Sequence, residues 1–276
     1  MDREVVKIYD TSLRDGLRNS GILMTLEQKL RFARQLEQLN VDAIEVGYGG
    51  PSQIDTMQRL AATITGPVVY GLSRVNTKDI QRVLDGVGRA KQPGVNIFSP
   101  TSNDFLKKAK KSWQQAVEET AAAVAYAKQH VDHIMFSAQD GSRADPVLLV
   151  RIFNAAIEAG ATVLSLADSV SYAVPSQFGP LCQFLRSQVK NSNTVTWSVH
   201  CHNEIGLAVA NSLAAIENGI RQVECTVAGI GEGAGNTSLQ LVVNALRTRP
   251  DVLKTVATTI AVEHFPGASQ LLQEAA

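Results

Sequence analysis

The sequence predicts a parallel (β/α)8 TIM barrel, a single domain with a C-terminal helical cover, and three observations carry that prediction. Short β-branched or apolar runs alternate with longer amphipathic segments along the 276 residues. A parallel neighbour needs a long crossover, which segments of that length supply. No linker rich in Pro, Gly or Ser breaks the alternation, and no Gly-x-Gly-x-x-Gly follows the first strand, which counts against an open doubly wound sheet. The barrel is expected over about residues 5–248 and the cover, two short helices, over about 249–276, together one catalytic domain of residues 1–276.

Eight strands are expected, at Val5–Thr11, Ala43–Val46, Val68–Leu72, Val95–Phe98, His133–Ser137, Thr162–Ala167, Thr194–Cys201 and Gln222–Val227. The intervals between them read as helices. Thr25–Leu39 repeats Leu26, Leu30, Ala33 and Leu36 at helical spacing, and Thr25 with Gln28 forms a capping-box start. Trp113–Lys128, Pro146–Glu158, Pro175–Leu185 and Leu207–Asn218 follow the same rule, several opening after Asp, Ser or Pro.

Charge and cysteine usage narrow the function classes. With 26 basic and 26 acidic residues the formal charge is zero, so no broad field draws the chain to nucleic acid or to a membrane surface. One local exception, Lys107, Lys108, Lys110 and Lys111, reads as a solvated helix start; a loop that meets a phosphorylated or CoA-bearing substrate would look the same. Three irregularly spaced cysteines make no disulfide framework and fit reduced thiols. The N-terminus "MDREVVKIYD" lacks the apolar core of a signal peptide, and no apolar run reaches membrane-spanning length. A cytoplasmic enzyme acting on small molecules is the expectation.

A barrel places its chemistry at the C-terminal ends of the strands. Arg14, Asp15 and Gly16 follow the first strand, with Gly16 expected to let the backbone turn sharply. His200 and His202 face one way from the seventh strand because strand side chains alternate, which turns Cys201 toward the helices. Alone, such a pair reads equally as two hydrogen-bonded core histidines or as two ligands of one ion. After the eighth strand, Gly229, Gly231, Gly233 and Gly235 lead to Asn236, a loop whose backbone can approach a ligand closely. One carboxylate, two imidazoles and one amide oxygen at one end of the barrel suit six-coordinate Mg2+, Mn2+, Co2+ or Zn2+. An ion held there can polarise a 2-oxo acid, with Arg14 as a second positive group. Gln139, Asp140, Arg143, Asp145, Asp168 and Ser169 stand at two further strand ends. Asp168 has equal claims as a helix cap or as a support for the ligands; Ser169 and Arg74 are candidates for binding a substrate carboxylate.

Together "DTSLRDG", "FSAQDGSRAD", "HCHNEIGLAVANS" and "GIGEGAGNTSL" resemble the DRE-TIM metallolyase superfamily, the HMG-CoA lyase-like, pyruvate carboxyltransferase domain, over about Val5 to Leu246. The nearest likeness is to the catalytic domain of 2-isopropylmalate and homocitrate synthases. The resemblance implies a divalent ion on Asp15, His200, His202 and Asn236, with Arg14 stabilising an enolate or oxyanion. It also implies catalytic roles for Gln139 and Ser169, and substrate contacts from Arg74, Asn96, Gly231 and Gly233. Departures from the family pattern are Leu17 and Arg18 where the synthases read Glu-Gln, Asn96 where they carry a histidine, Gln139 for an acidic residue and Ser169 for a threonine.

The synthases continue into helical subdomains that supply a histidine base. This chain is expected to lack them, so its general base is unassigned: a partner chain supplies it, or the reaction does not need it. Three readings follow. The first is an acyltransferase condensing an acyl-CoA with a 2-oxo acid, as 2-isopropylmalate synthase does. The second is an aldolase or lyase of the HMG-CoA lyase or 4-hydroxy-2-oxovalerate aldolase type. The third is a metal-binding, catalytically degenerate subunit paired with a separate, C-terminal-type chain. Family analogy implies a homodimer.

Overall fold

The computed structural model describes residues 3–276. A short arm, β1 (Glu4–Val5), precedes eight strands: β2 (Lys7–Asp10), β3 (Ala43–Tyr48), β4 (Val68–Arg74), β5 (Pro93–Pro100), β6 (His133–Gln139), β7 (Val163–Asp168), β8 (Thr196–Cys201) and β9 (Gln222–Cys225). All eight pair in parallel and in sequence order, and β9 returns to β2 to close the barrel. Outside lie α1 (Leu26–Gln38), α2 (Ile54–Thr63), α3 (Thr77–Val87), α4 (Asn103–Ala109), α5 (Trp113–Lys128), α6 (Pro146–Ala159), α7 (Pro175–Gln188), α8 (Ala208–Glu217) and α9 (Leu239–Thr248). The tail adds β10 (Val256–Ala257) and α10 (Phe265–Gln273).

Local chemistry explains where these elements start and stop. Thr25 caps α1 in the expected reciprocal box with Gln28, and Ser112 with Gln115 does the same for α5. Asp145 caps α6, accepting from the Val147 amide at 2.8 Å, and Gly160 ends that helix in the left-handed conformation. The lysine cluster lies at a helix end, not a start: Lys107 and Lys108 form the last turn of α4, where cations complement the helix dipole, and Lys110 is its left-handed cap.

Two expectations about the chain ends change. The first strand divides at Val6. Its start, β1, leaves the barrel to pair with β10, and Thr11 lies past the strand as the residue preceding a π-helical turn over Ser12–Gly16. The tail therefore adds a short strand to its helical part, in which a 3-10 turn over Val262–His264 runs into α10. The reason for Gly16 also differs from a sharp turn: a Cβ there would meet the Ile230 side chain at 2.9 Å, so glycine serves close packing of the first loop on the last.

Outward-facing strand residues join the helices in one large apolar core around Ile8, Ile44, Val69, Ile97, Phe136, Leu164, Val199 and Val223. The interior is graded along the barrel axis. Tyr9, Ala43, Tyr70, Met135 and Val163 fill its base, with the Tyr9 and Tyr70 rings edge to face at 5.2 Å. Gly94 leaves room for Tyr70, because a Cβ there would lie 2.6 Å from the ring. Above this layer the inward positions become polar: Glu45, Asn96, Ser137, Ser165, Ser198 and Glu224, all buried. Cys182, Cys201 and Cys225 are free and buried among apolar neighbours. Among the described residues, no helix is long and apolar enough to cross a membrane.

Candidate metal centre and adjoining cavities

The polar layer carries the chemistry upward to the mouth of the barrel. Asp15 sits in the turn after β2, His200 on β8, and His202 just beyond it, each with one ligand-capable atom within 4.8 Å of the others. Nε2 of His200 lies 3.4 Å from Asp15 Oδ2, and Nε2 of His202 lies 3.6 Å from the same oxygen. Two imidazole nitrogens and a carboxylate thus converge on one point, an arrangement that could hold a single ion. Asp15 Oδ2 and Asn236 Oδ1 are buried with no hydrogen-bond partner among the described residues. Buried acceptors are costly to leave unsatisfied, so these two atoms fit a cation that takes their lone pairs. Asn236 is held in place by its own amide, which donates to the Ile230 carbonyl at 3.1 Å.

Arg14 lies beside the cluster, bonded to Asp15 Oδ1 at 2.5 Å and, through Nε, to Glu45. Burial opposes its charge, but the Asp15 and Glu45 carboxylates more than offset that and raise its pKa further. Burial likewise opposes ionisation of Asp15, yet Arg14, His202 and His200 together hold its carboxyl well below the usual carboxylate range. For His200 burial disfavours the charged ring, while Glu224 and Asp15 raise its pKa above the ordinary value. The centre is thus an anion–cation–imidazole cluster in which Asp15 stays ionised and Arg14 stays charged.

Glu45 and Glu224 were not anticipated from the sequence. Glu45 accepts from Arg14, from the Tyr9 hydroxyl at 3.0 Å and from Asn96 Nδ2 at 3.3 Å. Glu224 accepts from the Ser165 and Ser198 hydroxyls and lies 3.2 Å from His200 Nδ1. The signal was available: a glutamate at an inward position of an otherwise apolar strand, in "AIEVGY" and "QVEC", has no solvent to face.

The remaining expected residues divide. Asn96, Gln139 and Ser169 line a cavity of about 270 Å³ together with Asp15, His200 and His202. Asn96 also accepts from the Ser137 hydroxyl at 2.8 Å, and Ser169 Oγ accepts from the Asp140 amide at 3.0 Å, which leaves the serine O–H free to donate. A second cavity of about 700 Å³, walled by Leu13, Leu17, Val46 and Tyr48, shares Arg14, Arg18, Leu72, Phe98 and Gln139 with the first.

Arg74 is not brought to the cluster. It is turned onto Asp79 at 2.5 Å and lies over the Tyr48 ring, with its side chain 57% exposed. Gly231 and Gly233 have packing roles: a Cβ on Gly231 would lie 2.3 Å from Asn236 Nδ2, and one on Gly233 3.0 Å from Glu204 Oε1. Asp168 resolves as a loop cap. Its carboxylate accepts from Ser142 Oγ at 2.6 Å and from the Tyr172 and Ala173 amides. Asp140 is buried and holds Arg143 and Ser102, so both charged residues of that loop are structural.

Comparison with known proteins follows from this geometry. The HMGL-like family model matches residues 5–272. The chain is 43% identical over 270 residues to a 2-isopropylmalate synthase of Dechloromonas aromatica, covering 97% of this chain and 52% of that one. It is 45% identical over 268 residues to a 2-isopropylmalate synthase of Nitrosospira multiformis, covering 96% and 52%. It therefore spans about half the length of the curated relatives it matches. Among solved structures, a hydroxymethylglutaryl-CoA lyase from Pseudomonas aeruginosa superposes with a TM-score of 0.82 at 22% identity, over 99% of this chain and 94% of the other. An HMG-CoA lyase from Acinetobacter baumannii, in complex with coenzyme A and 3-methylmalate, gives 0.79 at 19% identity, over 98% and 92%. At those identities the likeness is one of fold.

Proposed function

Because the chain belongs to the HMGL-like family, we propose that it is a divalent-metal-dependent acyltransferase that joins an acyl-CoA to a 2-oxo acid, a reading supported by its likeness to proteins named 2-isopropylmalate synthase. The observation that carries this reading is the convergence of Asp15, His200 and His202, beside a charged Arg14, where a small and a larger cavity adjoin. Asp15, His200, His202 and Asn236 would hold the ion. When bound, a divalent ion supplies Lewis acidity toward a substrate carbonyl.

The chain's own residues supply the rest. Arg14 cannot lose its proton and is fixed by two carboxylates, so it is pre-aligned to stabilise an oxygen on which negative charge develops. Ser169 offers a hydroxyl proton, and Gln139 an amide, to the carboxylate of a 2-oxo acid in the smaller cavity. The larger cavity has the size for a thioester donor. The three buried free thiols are in keeping with a reducing compartment.

The test is incubation of purified protein with acetyl-CoA, a panel of 2-oxo acids and each of Mg2+, Mn2+, Co2+ and Zn2+. Release of free CoA that requires both a 2-oxo acid and a metal supports the proposal. Pyruvate formation from 4-hydroxy-2-oxo acids, without CoA release from any acceptor, overturns it in favour of an aldolase. Metal uptake with neither activity overturns it in favour of a catalytically silent subunit.

A further inference from the structure

Both histidines of the centre have a second nitrogen, and each meets a carboxylate on its far side. The two carboxylates differ in how they are held. Nδ1 of His200 is buried and makes no aligned hydrogen bond; its nearest acceptor is Glu224 Oε2 at 3.2 Å, while the other oxygen of Glu224 takes hydrogen bonds from Ser165 and, at 3.1 Å, from Ser198. Glu224, Ser165 and Ser198 are all buried and stand on three adjacent strands, β9, β7 and β8. Their brace is the barrel wall itself. Nδ1 of His202 lies 3.8 Å from Glu204, whose side chain is 41% exposed and is held through Ser171 in the loop after β7. That brace is longer and made of loop.

A neutral imidazole carries one proton on its two nitrogens, so the hydrogen bond at one nitrogen decides whether the other has a lone pair to give. A carboxylate at Nδ1 draws the proton there, and once an ion lies between Nε2 of His200 and Asp15 Oδ2, 3.4 Å apart, Nε2 is the atom left to give its lone pair. We propose that Glu224 is a positioning residue that fixes the tautomer and orientation of His200, and that this buried brace, more than the exposed one on His202, sets the metal affinity of the centre. The inference rests on the metal-binding reading above. Outer partners of this kind typically change metal affinity by about 10- to 100-fold when altered.

Glu224→Gln tests it with little change of shape. Metal-free wild type and variant are titrated with Mn2+ against a fluorescent chelator, and the thermal midpoint is followed with and without metal. The expected result is a dissociation constant about 10- to 100-fold higher and a smaller metal-induced rise in the midpoint, measured from each protein's own metal-free value. Glu204→Gln, which removes an exposed charge, should cost no more than about fivefold.

Glu224→Asp keeps the charge but withdraws it by one methylene, and should fall between wild type and Gln; it stands in if the Gln variant does not fold. Equal affinity in wild type and Glu224→Gln overturns the proposal, as does a larger loss in Glu204→Gln. If the wild type takes up no metal, the metal reading fails instead. The 15N shifts of His200 in the Zn2+-loaded protein give a second readout, since the proposal requires the Nδ1–H form in wild type and its loss in Glu224→Gln.

Discussion

Two buried glutamates stand on either side of the candidate centre, and they show how one residue type does two different jobs. Glu45, on β3, meets a guanidinium that is charged at every accessible pH; the pair with Arg14 is an ion pair supported by Tyr9 and Asn96. Glu224, on β9, meets an imidazole, and its other bonds come from neutral hydroxyls. On the Glu45 side, burial raises the glutamate's pKa and Arg14 opposes that rise. The arrangement fixes a charge. On the Glu224 side the arrangement fixes a proton position. The difference teaches that a polar barrel interior need not be one network with one purpose: here the base of the site is divided between a permanent cation and a titratable imidazole.

Four experiments break or sharpen that contrast, in falling order of effect. His202→Ala removes one of only two imidazoles in the cluster, and the expected outcome is complete loss of metal retention after desalting, read by elemental analysis; full occupancy would sink the ligand assignment. Glu45→Gln leaves Arg14 buried with Asp15 as its one remaining carboxylate. The expected cost is about 3 kcal/mol in denaturant unfolding, the low end for a broken buried pair because Asp15 still partners it.

The third experiment separates the two sides by pH. The raised pKa of His200 contributes stability that is fully present below about 6.5, the unfolded value, and is lost as pH rises through the higher folded value. Asp10, whose carboxyl burial pushes up to about 7, has the same sign, because the folded state keeps a proton that the unfolded chain has released. Metal binding needs a neutral imidazole, so the stabilisation it adds grows with pH. The thermal midpoint should therefore fall from pH 6 to pH 8 without metal, while the increment added by saturating metal rises over the same interval. Parallel curves would contradict the ligand role of His200. The smallest effect is expected for Arg74→Ala, which removes an exposed pair with Asp79: less than about 1 kcal/mol in stability and no more than a marginal change in CoA release.

Much of this was legible in the sequence, for reasons that the misses make plain. The alternation of strand and helix has a period and so survives in one dimension, and the His200–His202 spacing carries its own geometry because a strand repeats every two residues. Asp15 and Asn236 could be assigned to the same end of a barrel from topology alone. Arg74 stands at a strand end in the same way, yet nothing local said that Asp79, one helical turn onward, would claim it. Gly16 was over-read as freedom of turning where the need was space: it yields to Ile230, a contact that exists only after the last loop folds over the first. The partners of Glu45 and Glu224 were missed because they come from elements far apart in sequence. The β1–β10 pair was missed because two-residue ladders carry no periodic signal.

The buried cysteines bear on how the chemistry can be watched. Each thiol is shielded from water, and burial pushes that of Cys182 up to about 12 and those of Cys201 and Cys225 well above the usual range, so at neutral pH none presents a thiolate. A thiol-reactive chromophore added to the folded protein is therefore blind to the protein itself and free to count coenzyme A continuously. The same reagent, once the barrel opens, has three cysteines per chain to find, so a single dye serves as a turnover counter below the unfolding transition and as an unfolding alarm above it.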